Sequence, residues 1–334
     1  GNADFVALGR SQLAEPAWAK KAKEGRASDI KPCINCLIGC IDRGMLSHTP
    51  IHCTVNPSLY RFECKPVEKA ETRKQVAVVG AGPAGCEAAL TASKRGHQVT
   101  IYEKRCIGGA MIEASKPENK ANIKRLIHYY EDHIMHDPNI TLVKEEVEYE
   151  TLVHSGYDAV IIAVGGKTRI LNVPGIEKNS VIYASDYLNG STAVTGNTVV
   201  VIGGGITGAE TALELNAEGK KVTIVEMTDA FLANFSSACQ AYLATINETD
   251  IKILTGKRLT AVHENNVILT DRWGNETTVR ADSVVIAAGF TRQNELSDKL
   301  EENTDMQVFN VGDSKRVRQI YDAIHEGFIA ARQI

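Results

Sequence analysis

The chain has 334 residues, 43% of them hydrophobic, with 37 Lys+Arg against 41 Asp+Glu and a formal net charge of −4. That balance, with the two signs well mixed, gives no electrostatic footing for nucleic acid or an anionic membrane surface. No apolar run approaches the roughly 20 residues needed to span a bilayer, and the length predicts two domains with a smaller third segment.

The chain opens on Ala3-Asp4-Phe5-Val6-Ala7-Leu8, a buried-strand pattern closing on Gly9-Arg10. Four of the eight cysteines follow as a cluster, Cys33-x2-Cys36-x3-Cys40-x12-Cys53. Thiolates at such spacing converge on one metal centre once the loop folds back, and four of them suit a tetrahedral zinc or a 4Fe–4S cluster. The flanks carry little secondary-structure signal, as a ligand loop should. Disulfides are a weaker reading, because no secretory segment is visible and the expected location is cytoplasmic. His52 adjoins Cys53, either as a plain loop histidine or as a hydrogen-bonding neighbour of the cluster. Cys64, Cys86, Cys106 and Cys239 stand alone, without the CxxC spacing of a redox dithiol, and read as small buried side chains. Cys64 is singled out for its closeness to Cys53.

The first strong motif is Val76-Ala77-Val78-Val79 followed by Gly80-Ala81-Gly82-Pro83-Ala84-Gly85. The first glycine permits a tight strand-to-helix turn, the second admits a pyrophosphate to the backbone, and the third lets helix and strand pack closely. The following helix offers free N–H groups to phosphate at its N-terminus. The helical pattern stops at Gly96, and the next strand ends on Glu103, at the spacing of a ribose-binding acid. Lys104, Arg105 and the glycine pair Gly108-Gly109 come next. His128, His133 and His136 share an amphipathic helical pattern with Ile123, Leu126, Ile127, Tyr130 and Ile134, which favours an ordinary surface helix over a metal site. Tyr157 to Gly165 reads as a buried parallel strand ending in glycine.

The same set then repeats in register. Val199-Val200-Val201-Ile202 leads into Gly203-Gly204-Gly205-Ile206-Thr207-Gly208, the helix stops at Gly219, and the next strand ends on Glu226. Met227-Thr228 follow Glu226 with no neighbouring base, so the carboxylate should accept from a ribose 2′-OH and repel a 2′-phosphate, favouring NADH. Trp273 sits in the Asp271-Arg272-Trp273-Gly274-Asn275 turn and is expected to staple a hairpin. Ala281 to Gly289 repeats the glycine-ended strand. Val311-Gly312-Asp313 precedes a helical pattern over 320–334. Two nucleotide sites in one chain imply two cofactors exchanging a hydride. The predicted division is 1–73 for the cysteine segment, 74–190 with 292–334 for one dinucleotide domain, and 191–291 for a second inserted in it.

This α/β arrangement of two Rossmann-like domains resembles the two-dinucleotide flavoproteins, in which an NAD domain is inserted in an FAD domain. The resemblance implies that Gly80, Gly82, Gly85, Glu103, Lys104 and Gly109 hold FAD. It also implies that Asp313 after Gly312 reaches its ribityl–phosphate part, and that Gly203, Gly205, Gly208 and Glu226 hold NADH. Gly165 and Gly289 would mark the crossings between domains. Residues 4–56 narrow the likeness. Gly9-Arg10, Glu15-Pro16, Glu24-Gly25, Pro32-Cys33-Ile34-x-Cys36 and Cys53-x-Val55-Asn56-Pro57 resemble the multidomain NADH:flavin oxidoreductases of the old yellow enzyme class. That class includes 2,4-dienoyl-CoA reductase, 2-enoate reductase and trimethylamine dehydrogenase.

By that resemblance Cys33, Cys36, Cys40 and Cys53 bind a 4Fe–4S cluster, and Gly9-Arg10 ends the eighth strand of a (β/α)₈ barrel, making Arg10 a candidate ligand of the FMN phosphate. The rest of the barrel is the missing partner domain, so the chain is expected to be the C-terminal part of a longer protein. No catalytic residue for the reduction of a small-molecule substrate is then expected within it, only NADH-to-acceptor activity. The three residues between Cys36 and Cys40 match the enoyl/dienoyl reductase branch better than the amine dehydrogenase branch. The implied function is electron input to an enoate or dienoyl-CoA-type reductase. The alternatives are an amine-dehydrogenase-like chain with a vestigial NAD site, and a non-catalytic nucleotide-binding module with structural zinc. The oligomeric state stays open, a homo-oligomer included.

Overall fold

The structure, a computed structural model, describes residues 3–59, 66–234 and 236–334. It divides into two compact units, Gly1–Lys167 with Thr291–Ile334, and Thr168–Phe290.

The cysteine segment carries two short helices, α1 (Arg10–Ala14) and α2 (Trp18–Lys23), and a π-helical stretch at Ile38–Leu46. The strand expected over Ala3–Leu8 does not form. Phe5 and Val6 are 94% and 76% exposed, and no described strand lies beside them to complete the ladder that a strand requires. Of the lone cysteines, Cys64 falls outside the described residues, Cys86 and Cys239 are buried, and Cys106, expected to be buried, is exposed.

Next come β1 (Gln75–Val79), α3 (Pro83–Arg95), β2 (Gln98–Tyr102), α4 (Met111–Ala114), α5 (Ala121–His136), β3 (Ile140–Val143), α6 (Tyr149–His154) and β4 (Ala159–Ile162). β1 and β4 are almost wholly buried, as their unbroken Val/Ile/Ala runs require of strands covered on both faces. Pro83 opens α3 at a position where its missing N–H has no intrahelical partner to lose. Gly96 closes it at φ +101°, a left-handed cap. In α5 the residues Ile123, Leu126, Ile127, Tyr130 and Ile134 are buried on one face. Each such burial contributes roughly 1.5–3 kcal/mol.

The second unit starts within β5 (Gly166–Thr168). It contains β6 (Val181–Tyr183), α7 (Ala184–Leu188), β7 (Thr198–Ile202), α8 (Ile206–Ala217), β8 (Lys221–Val225), α9 (Ser237–Asn247) and β9 (Lys252–Leu254). It continues with β10 (Lys257–Val262), β11 (Asn266–Asp271), β12 (Glu276–Arg280) and β13 (Ser283–Ile286), and ends inside β14 (Phe290–Arg292). Its parallel sheet runs β6-β13-β7-β8-β9, beside an antiparallel β10-β11-β12 meander. Because β6 pairs with β13, this unit begins well before residue 191, where the sequence placed the boundary. Trp273 does not staple the β11–β12 hairpin. It is 75% exposed, and the turn is held instead by the Asp271 carboxylate, which accepts from the Trp273 and Asn275 backbone N–H groups at 2.9 Å each.

The chain then returns to the first unit with α10 (Glu295–Asn303), β15 (Gln307–Asn310) and α11 (Ile320–Gln333). β15 completes a five-stranded parallel sheet of order β15-β4-β1-β2-β3. Each unit therefore has its own β–α–β core, with a glycine-rich turn at the carboxyl end of a central strand. That is where open α/β sheets bind ligands.

Candidate cofactor sites

In the first unit the glycine turn is built by close approach. Gly80 has φ +100°, and a Cβ there would lie 2.5 Å from the Ala163 carbonyl oxygen. A Cβ on Gly85 would lie 1.9 Å from the Gly80 oxygen. Gly82 is the N-cap of α3 and uses no side chain to cap it, so the first N–H groups of the helix face outward for an anion. Gly109 comes up against Gly82, with an added Cβ 2.8 Å from the Gly82 Cα. The Gly109 side of this cradle admits only bare backbone, whereas a Cβ on Gly82 would make ordinary contact, 3.9 Å from the Gly109 Cα. Glu103 turns into it: one carboxylate oxygen accepts from Ala81 N at 2.8 Å and the other from Arg105 N at 2.7 Å. A carboxylate offers about four acceptor positions, so two remain for ribose hydroxyls. Lys104 points away and pairs with Glu146 at 2.7 Å on the exposed surface.

Gly312 has φ +69° and donates its N–H to Glu326 of α11 at 2.8 Å. The neighbouring Asp313 carboxyl is pushed up from its ordinary value by burial, although it accepts from Arg318 N at 2.9 Å. A carboxylate buried without full compensation suits an incoming donor. Gly165, at φ +77°, has open space around it. The helix packing behind the cradle depends on Gly327, which no motif marks. A Cβ there would lie 2.1 Å from the Ala84 oxygen, so α11 and α3 touch backbone to backbone.

The second unit reproduces the cradle. Gly203 has φ +118° and sits against Ala287, Gly205 caps α8 with open space around it, and a Cβ on Gly208 would lie 1.9 Å from the Gly203 oxygen. Glu226 accepts from Gly204 N at 2.7 Å and from the Thr228 N–H and hydroxyl at 2.7 and 2.8 Å. Gly289, at φ +83°, again faces open space. The sequence around Glu226 shows no base, but the fold brings two. Arg258 of β10 and Arg272 of the hairpin turn line one groove with Met227, Thr228 and Asp229. Arg272 is paired with Asp229 at 2.6 Å and stacked on Trp273.

Cys33, Cys36, Cys40 and Cys53 all line one cavity in the first unit. Among the described residues no group of three His, Cys, Asp or Glu side chains is gathered to hold a metal ion, and all seven described cysteines are free thiols. The cavity wall is otherwise largely apolar, with Leu13, Ile34, Leu37 and Val55. Burial pushes the Cys53 thiol up to about 11 and also raises that of Cys36. Backbone N–H groups of Val55 and Asn56 offset this at Cys53, and Ile38 does so at Cys36. Thr54, which the motif reading passed over, places its hydroxyl 3.0 Å from the Cys36 sulfur. Four thiols on one largely apolar cavity are the donor type and number that a zinc ion or an iron–sulfur cluster takes, although among the described residues they are not drawn together on one point. Arg10 lines this same cavity. Just ahead of Cys33, Lys31 is buried against Glu87 of α3 at 2.5 Å, and the Tyr130 hydroxyl donates to the same carboxylate oxygen at 2.8 Å.

Two glycine-cradled Rossmann-type folds, one set within the chain of the other, define an oxidoreductase that works with a flavin and a pyridine nucleotide. The family model for pyridine nucleotide-disulphide oxidoreductases matches residues 74–327, and the chain belongs to that family. It is 38% identical to the NADH oxidase of Thermoanaerobacter brockii over 100% of this chain and 52% of the relative. It is 31% identical to the cinnamate reductase of Clostridium sporogenes, over 100% of this chain and 50% of the relative. A 2-naphthoyl-CoA reductase structure superposes with TM-score 0.90 at 30% identity, covering 100% of this chain and 51% of that one. The resemblance to multidomain NADH:flavin oxidoreductases is thus borne out, and the chain spans about half the length of the curated relatives it matches. No helix among the described residues is long and apolar enough to cross a membrane.

Proposed function

We propose that this chain is the electron-input module of a flavin-dependent enoate or enoyl-thioester reductase. NADH binds the second cradle and FAD the first. Bound there, FAD would supply hydride acceptance from NADH, and Cys33, Cys36, Cys40 and Cys53 would hold a 4Fe–4S cluster, which would supply single-electron transfer toward FMN in a barrel domain. The chain's own residues provide binding and orientation. Gly80, Gly82, Gly85 and Gly109 admit the FAD pyrophosphate, Glu103 takes the ribose, and Asp313 accepts from the ribityl–phosphate side. Gly203, Gly205, Gly208 and Glu226 do the same for NADH. Lys104, tied to Glu146, is left with no more than a peripheral part in this reading, and Arg10 remains a candidate for the FMN phosphate. The observation that carries the proposal is the four-thiol cavity in the same unit as the FAD cradle. The relatives' reactions, cinnamate and 2-naphthoyl-CoA reduction, support the substrate class.

The test is composition. Anaerobically purified chain should contain one FAD, and about four iron and four acid-labile sulfide. One zinc and no labile sulfide would replace this reading with a structural metal module.

A further inference from the structure

α11 touches both ends of the proposed electron path within the first unit. Through Glu326 it receives the Gly312 N–H, beside the flavin-side Asp313. One residue earlier, His325 is 2% exposed, and its Nε2–H donates to the Cys53 carbonyl at 2.9 Å. One turn before that, the Tyr321 ring stacks on His325 with centroids 4.0 Å apart. The Tyr321 hydroxyl shares a 2.8 Å hydrogen bond with Nδ1 of His52, the residue before Cys53. The His52 ring lies nearly parallel to Tyr321, with 7° between planes. Gly39 closes the other side of this loop, since a Cβ there would lie 2.8 Å from the His52 oxygen. The backbone that carries Cys53 is therefore held between the cysteine loop and a ring stack on α11.

We infer that His325, supported by Tyr321 and His52, is the positioning residue for the Cys53 end of the cluster and tunes its reduction potential from the flavin-side helix. The inference rests on the reading of Cys53 as a cluster ligand. The N–H dipole of His325 points its positive end at the Cys53 peptide. It acts on the Cys53 carbonyl rather than on the sulfur, as an outer partner that fixes the ligand's peptide and sets a positive dipole end near the added charge of the reduced state.

The experiment compares His325→Leu and His325→Gln in the full chain, reconstituted anaerobically with iron and sulfide and poised against redox dyes. At a fixed potential, the ratio of reduced to oxidised cluster read by EPR should fall about threefold in His325→Leu, the size of one net hydrogen bond. It should recover in His325→Gln, which keeps an N–H donor. Identical titrations of wild type and His325→Leu would overturn the inference. If His325→Leu, or the wild-type chain itself, takes up no cluster, the metal-free chain decides. Alkylation of Cys53 by iodoacetamide, mapped by mass spectrometry, should then run about threefold faster in His325→Leu, again one hydrogen bond's worth, and return toward wild type in His325→Gln. Equal rates would overturn the positioning role independently of any metal.

Discussion

Single backbone positions set the shape of both glycine turns. Gly85 and Gly208 each face a carbonyl oxygen at 1.9 Å from where a Cβ would sit. Gly85→Ala should therefore cost about 1–3 kcal/mol by overpacking and release flavin. Gly208→Ala should weaken NADH binding while flavin stays bound. Denaturant unfolding and bound-flavin absorbance separate the two. Asp313 gives a pH signature. Its folded value is raised by burial, so the folded state holds its proton more tightly than the unfolded chain. The resulting stability is present below the unfolded value near 3.8 and is lost as pH rises through the folded one. In flavin-free protein, Asp313→Asn should raise Tm at neutral pH, and the difference should vanish in acid; a Tm difference that does not change with pH would contradict this. The tight glycine turns and the strand-end placement of Glu103 and Glu226 were legible in the sequence because each is set by spacing within one β–α–β unit. Gly327, Thr54, Arg258 and Arg272 were not, because each acts on a residue brought near only by tertiary packing.

Among the elements, the strands and helices of both βαβ cores follow directly from Val/Ile runs and from apolar positions spaced three and four apart. The cysteine segment has no such period, and its π-helical stretch and its anchoring on α3 could not be read from it. Lys31 and Glu87 lie far apart in sequence, yet their side chains are only 11% and 9% exposed. Lys31→Met leaves the Glu87 charge buried and should destabilise the chain by about 3–5 kcal/mol. Adding Glu87→Leu and Tyr130→Phe removes the stranded polar groups and should recover most of that loss. Urea midpoints of the single and triple variants check this, and a triple variant no more stable than the single one would contradict it. The opening strand pattern over Ala3–Leu8 failed for the complementary reason. A buried-strand pattern yields a strand only where a neighbour pairs with it, and among the described residues none does, so Phe5 and Val6 remain exposed.

For the whole molecule, the duplicated fingerprint carried the fold class and the family, because a repeat in register is far more specific than one glycine turn. The proposed direction of electron flow is inward, from NADH to the flavin. An input module must take hydride from NADH, whereas an amine-dehydrogenase-like chain would leave its second cradle unused. The groove with Arg258 and Arg272 adds a cofactor test. With Glu226 turned toward Gly204 and Thr228, NADH should still bind more tightly than NADPH, and Glu226→Gln should narrow that preference; a preference unchanged in the variant would place the discrimination elsewhere. The most direct measurement is the visible spectrum of anaerobically purified chain before and after excess NADH. A flavin band over broad iron–sulfur absorption is expected, with both bleaching on addition, because flavin and cluster together take more electrons than one NADH brings. A bound flavin that stays oxidised would contradict electron input.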